Sequence, residues 1–443
     1  MSTELTQYRI AGDGAAEIAA SVERGIEGGE LRPGTPLPAV RSLAAELEVS
    51  PATIAAAYKA LRSRGLIVTR SRSGAFVSWR PPVAGAWLGA AAPAGVRDLA
   101  SGNPDPQLLP GLAPVLRRIE PARQLYGGDP ADPRLLELVR AELEEDGIGA
   151  GALAVVSGAL DGIERALAAR LHPGDAVAVE DPGFAGLFHL LRANGYALRP
   201  VAVDGGGMVP AALAATLDDG VAAVIVNPRG QNPTGASLGE ERATALRAVL
   251  DRHPDVMVLE DDHLGPIAGA PRVILTTGRR RWVAARSLAK SLGPDLRLAV
   301  LAGDPHTINR VRGRQAVGPG WVSHLLQRTA AELMADDDVA ALLERAERTY
   351  AERREAFVTA LADCGMEVEC SSGLNVWIPV PDETSVIQAL QSNGWAVMPG
   401  APFRLQADPA IRVTISSLEP AEAGDLAGAI ASALKPSGRT RAA

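Results

Sequence analysis

The sequence predicts a multidomain α/β protein, with a small helical N-terminal domain ahead of a large doubly wound domain. Three observations support this fold class. Helical spacing and turn signals fill the first 80 residues, and short apolar runs alternate with amphipathic segments after residue 98. A chain of 443 residues with 47% apolar content is also long enough to bury more than one core. We expect domains at 1–80 and 98–443, joined over 81–97 by a linker rich in Ala, Pro and Gly.

Helix-turn-helix spacing follows an initial helix near the N-terminus. Apolar residues recur at helical intervals over residues 14–28, and glycines then end the pattern. The next two predicted helices cover residues 40–47 and a stretch that starts at Ser50. Ser50 is a favourable N-cap, and Pro51 suits the first helical position. Two helices at this spacing are typical of DNA-binding domains.

Two short strands and a basic tip complete the N-terminal domain. The predicted strands at 65–68 and 75–77 flank a basic tip at 70–74, as in a wing. The whole chain has a net charge of −8, but residues 41–80 contain seven basic and two acidic residues, a local charge of +5. Phosphate binding depends on local charge, so the segment is a candidate DNA-binding surface. The alternatives are a solvated helix face, or helices and a hairpin that bind no ligand.

This segment resembles the winged helix of GntR-family repressors. The resemblance is carried by Leu31-x-Pro33-Gly34-x-x-Leu37-Pro38-x-x-Arg41-x-Leu43-Ala44, Val49-Ser50-x-x-Thr53, Ala57-Tyr58-x-x-Leu61, Gly65-Leu66 and Ser73-Gly74-x-Phe76-Val77. It implies DNA contacts from Arg41, Ser50, Thr53, Arg72 and Gly74. Many relatives have polar residues early in the recognition helix, where this chain has Pro51, Ala52 and Ala55. Specificity is therefore expected to depend more on Arg41, the wing and thymine methyl groups.

The larger domain is predicted from apolar runs that alternate with helical patterns. The runs are typical of buried parallel strands and lie at 176–180, 221–226, 256–259 and 282–285. Amphipathic segments at 158–171 and 238–250 are predicted helices. Ligands of doubly wound sheets bind at the carboxyl ends of the strands, and the polar motifs of this chain follow those ends.

Several of these motifs match what pyridoxal 5'-phosphate (PLP) requires. Ser157-Gly158-Ala159-Leu160 precedes a helix whose free N–H groups can receive a phosphate. Phe184 can stack on a flat ring, although a core phenylalanine is its ordinary role. Asn232 precedes a proline and is ordinarily a turn residue, but its side chain can also hydrogen-bond a phenolic oxygen.

A second group of motifs supplies charges for the same cofactor. Asp261 ends a buried strand, where a carboxylate needs a cationic partner such as a pyridinium nitrogen. Lys290, in Ser287-x-x-Lys290, is expected to form an imine with the aldehyde of PLP. Ser287 and Arg297 are then expected to bind the phosphate. Each residue alone has an ordinary structural explanation, but their joint order favours a PLP site.

Residues 98–435 resemble the fold-type I, aspartate aminotransferase-like family. The carriers are Tyr126-Gly-Gly-Asp-Pro, Ser157-Gly-Ala, Glu180-Asp-Pro-Gly-Phe184, Asn232-Pro-Thr-Gly235, Glu260-Asp261-Asp262-His263, Ser287-x-x-Lys290, Pro294-x-Leu-Arg297-Leu, Gly373-Leu-Asn-Val-Trp377, Met398-Pro-Gly400-x-Pro-Phe403 and Ile411-Arg412-Val. The resemblance implies a PLP-dependent transferase fold with a smaller C-terminal α/β subdomain. It further implies that Arg412, with Gly102 near it, binds an effector carboxylate, and that Tyr126 reaches the phosphate site of the partner in a homodimer.

The chain departs from that family's pattern at two positions. His263 stands where tyrosine usually donates to the phenolic oxygen of PLP, and a histidine can replace it only with a suitable tautomer. Asp132 stands where relatives generally have glycine, so the loop after Tyr126 is expected to differ. Asp262 remains an alternative to Asp261 as the partner of the pyridine nitrogen.

With both resemblances, the chain is identified as a member of the MocR-type regulators. This implies a DNA-binding transcriptional regulator that binds PLP through Lys290, responds to an amino-group or vitamin B6 effector, and senses rather than turns over its ligand. The alternative is an active aminotransferase with an autoregulatory DNA-binding module. We expect a cytoplasmic protein, because the sequence has neither a signal peptide pattern nor a long apolar stretch. Two cysteines and six scattered histidines predict no metal site.

Overall fold

A computed structural model describes residues 8–28, 30–32, 34–63, 65–70, 74–78, 95–120, 123–149 and 151–434. The chain divides into two compact units. One contains Met1–Trp87 with His172–Asp175 and Gly186–Leu198, and the other contains the remaining residues. Arg72 and residues 79–94, which include most of the predicted linker, lie outside the described residues. The domain boundaries at 80 and 97 therefore remain predictions.

The N-terminal residues form three helices and a hairpin, as predicted. The elements are α1 (Ala15–Glu27), α2 (Val40–Glu46), α3 (Pro51–Ser63), β1 (Ile67–Arg70) and β2 (Gly74–Val77). Ile18, Ile54 and Leu61 have no measurable exposure and belong to one apolar core of this unit. The Ser50 hydroxyl accepts from the Thr53 backbone N–H at 3.1 Å, so the predicted N-cap opens α3.

The larger unit contains two sheets, a two-stranded pair and helices on their faces. Its strands are β3 (Arg97–Asp98), β4 (Ala152–Val156), β5 (Ala176–Asp181), β6 (Ala197–Asp204), β7 (Gly207–Met208), β8 (Ala223–Val226), β9 (Met257–Asp262), β10 (Trp282–Ser287), β11 (Ala299–Gly303), β12 (Asn375–Pro379), β13 (Trp395–Ala396), β14 (Met398–Pro399) and β15 (Ala410–Thr414). Its helices are α4 (Leu112–Arg118), α5 (Pro133–Glu145), α6 (Ala159–Ala168), α7 (Ala185–Ala193), α8 (Pro210–Asp218), α9 (Glu240–Asp251), α10 (Ala289–Leu292), α11 (Pro305–Ala316), α12 (His324–Met334), α13 (Asp337–Asp363), α14 (Glu383–Ser392) and α15 (Ala423–Leu434). Residues 186–193 of α7 and 197–198 of β6 are the exception, because they are grouped with the N-terminal unit.

The central sheet has the strand order β4-β11-β10-β9-β8-β5-β6-β7. The four apolar runs of the sequence are β5, β8, β9 and β10, and neighbours among them pair in parallel, as predicted. Strand β11 runs antiparallel to both β10 and β4, so the sheet is mixed. Ala285 of β10 pairs with Asp261 of β9, which brings Asp261 beside the strand that leads to Lys290.

The smaller sheet, with order β12-β15-β14, builds the C-terminal subdomain. Its apolar face packs with α13 and α15 around Tyr350, Phe357, Ile411, Val413 and Ile430, which are all at most 1% exposed. Strand β3, which begins at Arg97, the last residue of the predicted linker, pairs with β13 of this subdomain. The fold class predicted from the sequence is thus confirmed. Among the described helices, none combines the length and the apolar character that crossing a membrane requires.

Candidate functional site

Lys290 lies on the short helix α10, directly after β10. Its Nζ donates a hydrogen bond to the backbone carbonyl of Gly102 at 2.5 Å. Burial, followed by the positive charge of Arg412, lowers the pKa of Lys290 to about 8. A neutral amine is the form that attacks an aldehyde, so this environment makes Lys290 reactive near neutral pH.

Asp261 and Asp262 are neighbours on β9 with opposite surroundings, because successive side chains of a strand point to opposite faces. Burial alone would raise the pKa of Asp262, but Arg272, Arg286 and Arg229, all within 3.2 Å, hold it below its ordinary range. Asp261 is buried too, and its Oδ1 has no hydrogen-bond partner among the described residues. Burial and the nearby charge of Asp262 raise the pKa of Asp261 to about 7. Asp261 rather than Asp262 therefore has a carboxylate oxygen that can accept a hydrogen bond from a ligand.

The N-terminus of α6 forms a second part of the site. Gly158 is its N-cap with φ 100°, a conformation that favours glycine, and no side chain among the described residues caps the helix. A Cβ built on Gly158 would lie 3.5 Å from an Arg297 guanidinium nitrogen, so this cation borders the helix end. Ser287 of β10 pairs with Ala299 of β11, and Ala299 pairs in turn with Val156 of β4, the residue directly before Ser157. The region thus assembles the predicted residues Ser157, Gly158, Ala159, Leu160, Ser287 and Arg297.

Arg412 is a buried guanidinium that faces polar oxygens instead of a carboxylate. It donates to Asn232 Oδ1 at 3.2 Å and to the Ala100 carbonyl at 2.6 Å, and it lies over the Phe403 ring at 4.5 Å. Burial lowers its pKa to about 10. No carboxylate of the described residues forms an ion pair with it within 4 Å. A Cβ on Gly102, whose φ is +70°, would come within 3.1 Å of Arg412. Gly102, which has no side chain, leaves space beside the Arg412 guanidinium, and the positive charge of that guanidinium can bind an anionic group.

His263 contacts Asn227, a residue that the sequence motifs did not single out. Asn227 Nδ2 lies 3.4 Å from His263 Nδ1 and donates to the Asp261 carbonyl at 2.8 Å. Burial and then the charge of Lys290 lower the pKa of His263 to about 4, so the ring is neutral. Asn227 directly follows the apolar run at 221–226, and this position at a strand end is the signal that could have identified it.

Phe184 and Tyr126 are the remaining predicted cofactor residues. Phe184 is half-buried and follows β5 at its carboxyl end. Tyr126 is 93% exposed and meets Trp321 edge-on, with ring centroids 5.5 Å apart. Within one chain the exposed phenol therefore remains available to another molecule. Asp132, the second departure from the family pattern, is the N-cap of α5 and accepts from the backbone N–H groups of Arg134 and Leu135.

The predicted DNA contacts lie on the surface of the N-terminal unit. Arg41 and Ser50 are exposed, Thr53 is half-exposed, and exposed Gly74 opens β2 with φ 89°. Tyr58, from the buried side of α3, donates to the Pro38 carbonyl at 2.8 Å and ties the helix to the segment before α2. Arg72 is not among the described residues.

Two different protein families match the N-terminal unit and the larger unit of this chain. Residues 15–77 match the model of bacterial regulatory proteins of the gntR family, and residues 135–430 match that of aminotransferase class I and II. The chain is 39% identical over 429 residues to the vitamin B6 salvage pathway transcriptional repressor PtsJ of Salmonella typhimurium, covering 96% of this chain and 99% of PtsJ. It is 30% identical to the transcriptional regulator TauR of Rhodobacter capsulatus, covering 94% of this chain and 95% of TauR.

The chain belongs to the MocR-type transcriptional regulators. A MocR-type chain joins a GntR-type helix-turn-helix to an aminotransferase-like domain, and the aminotransferase family is PLP-dependent. The crystal structure of an archaeal alanine:glyoxylate aminotransferase aligns with this chain at a TM-score of 0.71 and 22% identity. The alignment covers 80% of this chain and 98% of that one. This likeness shows the fold alone.

The residues of this MocR-type chain fit PLP. The buried Asp261 Oδ1, which has no hydrogen-bond partner in the part of the chain that the structure describes, suits a pyridinium N–H, and Lys290 of lowered pKa suits an aldehyde. The uncapped N-terminus of α6 beside Arg297 suits a phosphate.

Proposed function

We propose that this regulator binds PLP in its aminotransferase-like domain and that occupancy of this site changes its affinity for operator DNA. The observation that carries the proposal is the unpartnered, buried Asp261 Oδ1 in a chain that also has a GntR-type module. When bound, PLP supplies an aldehyde and an electron-withdrawing ring. The boundaries 1–80, 81–97 and 98–443 are part of the proposal.

Each residue of the site has a role under this proposal. Lys290 holds the aldehyde carbon covalently, and Asp261 accepts from the ring nitrogen. Asn232 and His263 face the phenolic oxygen, and Phe184 stacks on the ring. The phosphate is bound by Ser157, Gly158, Ala159, Leu160, Ser287 and Arg297, with Tyr126 contributed by the partner of a homodimer. Arg412 beside Gly102 binds the carboxylate of an amino-group effector.

The DNA-binding surface and the effector complete the proposal. Arg41, Ser50, Thr53, Arg72 and Gly74 contact the operator. PtsJ, which is 39% identical to this chain, is named for vitamin B6 salvage and for repression, and this supports a B6 vitamer as effector. The proposed effector classes are therefore B6 vitamers and amines that bear a carboxylate.

Operator binding at graded PLP concentrations tests the proposal. DNA selected from random duplexes by the full-length protein serves as the probe, and fluorescence anisotropy gives its dissociation constant at fixed salt. We expect PLP to change that constant for the wild type. The Lys290→Ala variant should bind the same DNA, lack the visible absorbance of covalently held PLP after dialysis, and not respond to PLP. An unchanged dissociation constant for wild type that is saturated with PLP would refute the regulatory role.

A working aminotransferase is the second candidate. Lys290 of lowered pKa and the buried, carboxylate-free Arg412 beside Asn232 together favour it. Steady-state assays with a panel of amino acids and oxo acids separate the two candidates. The regulator should turn over far more slowly than about 1 s⁻¹, a rate at the lower end of the enzyme range, and sustained turnover at or above it would favour the enzyme.

A further inference from the structure

Asn227 and His263 form a hydrogen-bonded pair at the carboxyl ends of β8 and β9. We infer that Asn227 is a positioning residue that holds His263 as the neutral tautomer with its proton on Nε2. The histidine then offers a donor to the phenolic oxygen of PLP, where the family pattern has a tyrosine. This inference rests on the proposed function, because it assumes PLP in the site.

The backbone carbonyl of Asp261 fixes the orientation of the Asn227 amide. A carbonyl oxygen only accepts hydrogen bonds, so the amide atom that lies 2.8 Å from it must be the NH₂ group. Asn227 is buried, and its own backbone N–H donates to Glu180 Oε1 at 3.3 Å. The amide is thus held from both its backbone and its side chain, and its NH₂ group also faces the Asp261 carboxylate and one further neighbour.

That neighbour is His263 Nδ1, at 3.4 Å from Asn227 Nδ2. Because the amide nitrogen has no lone pair that can accept, a hydrogen bond between these two atoms requires Nδ1 to be the acceptor and to carry no proton. A neutral imidazole with an unprotonated Nδ1 has its proton on Nε2. The doubly protonated ring is disfavoured by burial and by the charge of Lys290, which outweigh the opposing effects of Asp262 and the Asp261 carbonyl and lower the pKa of His263 to about 4.

The Asp261 carbonyl is also the acceptor that competes for the ring. In the wild type it accepts from Asn227 Nδ2 at 2.8 Å, and the His263 ring also lies within hydrogen-bonding reach of it. Asn227→Leu has a similar size but leaves the carbonyl without its donor. We therefore expect His263 Nδ1–H to turn to that carbonyl in the variant, which reverses the tautomer and removes the donor on Nε2.

Nitrogen-15 NMR of the histidine-labelled, cofactor-free protein measures the tautomer directly. His263→Phe identifies the signals by their absence. We expect the Nε2–H tautomer in the wild type, the Nδ1–H tautomer in Asn227→Leu, and no change in Asn393→Leu. Asn393 is the matched control, because its exposed amide also donates to a backbone carbonyl, that of Ala389, at 2.8 Å. A wild-type ring protonated on Nδ1, or a tautomer that Asn227→Leu leaves unchanged, overturns the inference.

The protonation equilibrium of bound PLP gives a second readout. A donor to the phenolic oxygen stabilises its deprotonated form, so losing the donor should raise the apparent pKa read from the visible absorbance. The loss of a hydrogen bond to a charged acceptor corresponds to a rise in this apparent pKa of about one to two units. We expect this rise in His263→Phe and Asn227→Leu but not in Asn393→Leu, and an unchanged value in the first two overturns the inference. Asn227→Ala replaces the leucine variant if circular dichroism shows that the latter is unfolded.

The two readouts keep this inference apart from the proposed function. Failure of the wild type to take up PLP would refute the proposed cofactor, while the tautomer of the cofactor-free protein would still decide the role of Asn227. Uptake of PLP with a ring protonated on Nδ1 would refute only the role of Asn227.

Discussion

At the scale of single residues, Asp261 and Asp262 show how neighbours on one strand serve different purposes. Asp262 is fully buried and paired with Arg229, Arg272 and Arg286. Removing one partner of a buried ion pair leaves charges uncompensated and costs about 3–5 kcal/mol. We expect Asp262→Asn to lower the free energy of unfolding by this amount in urea titrations of the cofactor-free protein. Asp261→Asn, the matched variant, should lose PLP binding without that destabilisation. Equal losses in the two variants would contradict this division.

The pH dependence of stability follows from Asp261 as well. Its pKa of about 7 in the folded state lies above the ordinary value of 3.8, so the folded state holds the proton more tightly than the unfolded state. The stabilisation is fully present below about pH 4 and is lost as pH rises through 7, by at most about 1.4 kcal/mol per pH unit. We expect the difference in unfolding free energy between wild type and Asp261→Asn, both without cofactor, to decrease from pH 4 to pH 7. A difference that is flat over this range would exclude a raised pKa.

The sequence singles out some residues of the candidate site and not others, for a physical reason. Lys290, Asp261, Asn232 and Arg412 lie in short motifs, where the chemistry of one ligand requires fixed residue types. Asn227 and the arginines around Asp262 act through contacts between different strands and loops. Such contacts depend on strand register, which a single sequence does not specify.

At the scale of elements, continuous apolar runs predicted β5, β8, β9 and β10 because both faces of these strands are buried. The antiparallel direction of β11 was not predicted, because an apolar run carries no information about strand direction. The two-residue strands β13 and β14 were also missed, since so short a stretch shows no alternation.

The helix-turn-helix gives a prediction at the same scale. Arg41 is exposed at the start of α2, where a guanidinium can reach a base edge or a phosphate. We expect Arg41→Ala to weaken operator binding by about 1–3 kcal/mol with little effect on PLP binding. Arg24→Ala, an exposed arginine on α1 outside the proposed contacts, is the control. Anisotropy at matched salt measures both, and equal affinities of Arg41→Ala and wild type would remove Arg41 from the interface.

At the scale of the whole molecule, one short segment connects the candidate site with the chain that leads to the DNA-binding module. Lys290 donates to the carbonyl of Gly102, and Arg412 donates to that of Ala100. The same segment continues from β3, which begins at the end of the predicted linker at 81–97. A ligand that engages Lys290 and Arg412 competes for the hydrogen bonds that hold this segment in place.

Hydrogen–deuterium exchange of the full-length protein tests this connection. Lys290 would give up its hydrogen bond to Gly102 if it held PLP covalently, so we expect amides of residues 99–103 to exchange faster when PLP is bound. A carboxylated amine, which recruits Arg412 away from Ala100, should increase that exchange further. Strand β4, in the central sheet, serves as the internal reference, and Lys290→Ala should show no response to PLP in this segment. Unchanged exchange at residues 99–103 in wild type saturated with PLP would contradict a role of this segment in transmitting occupancy.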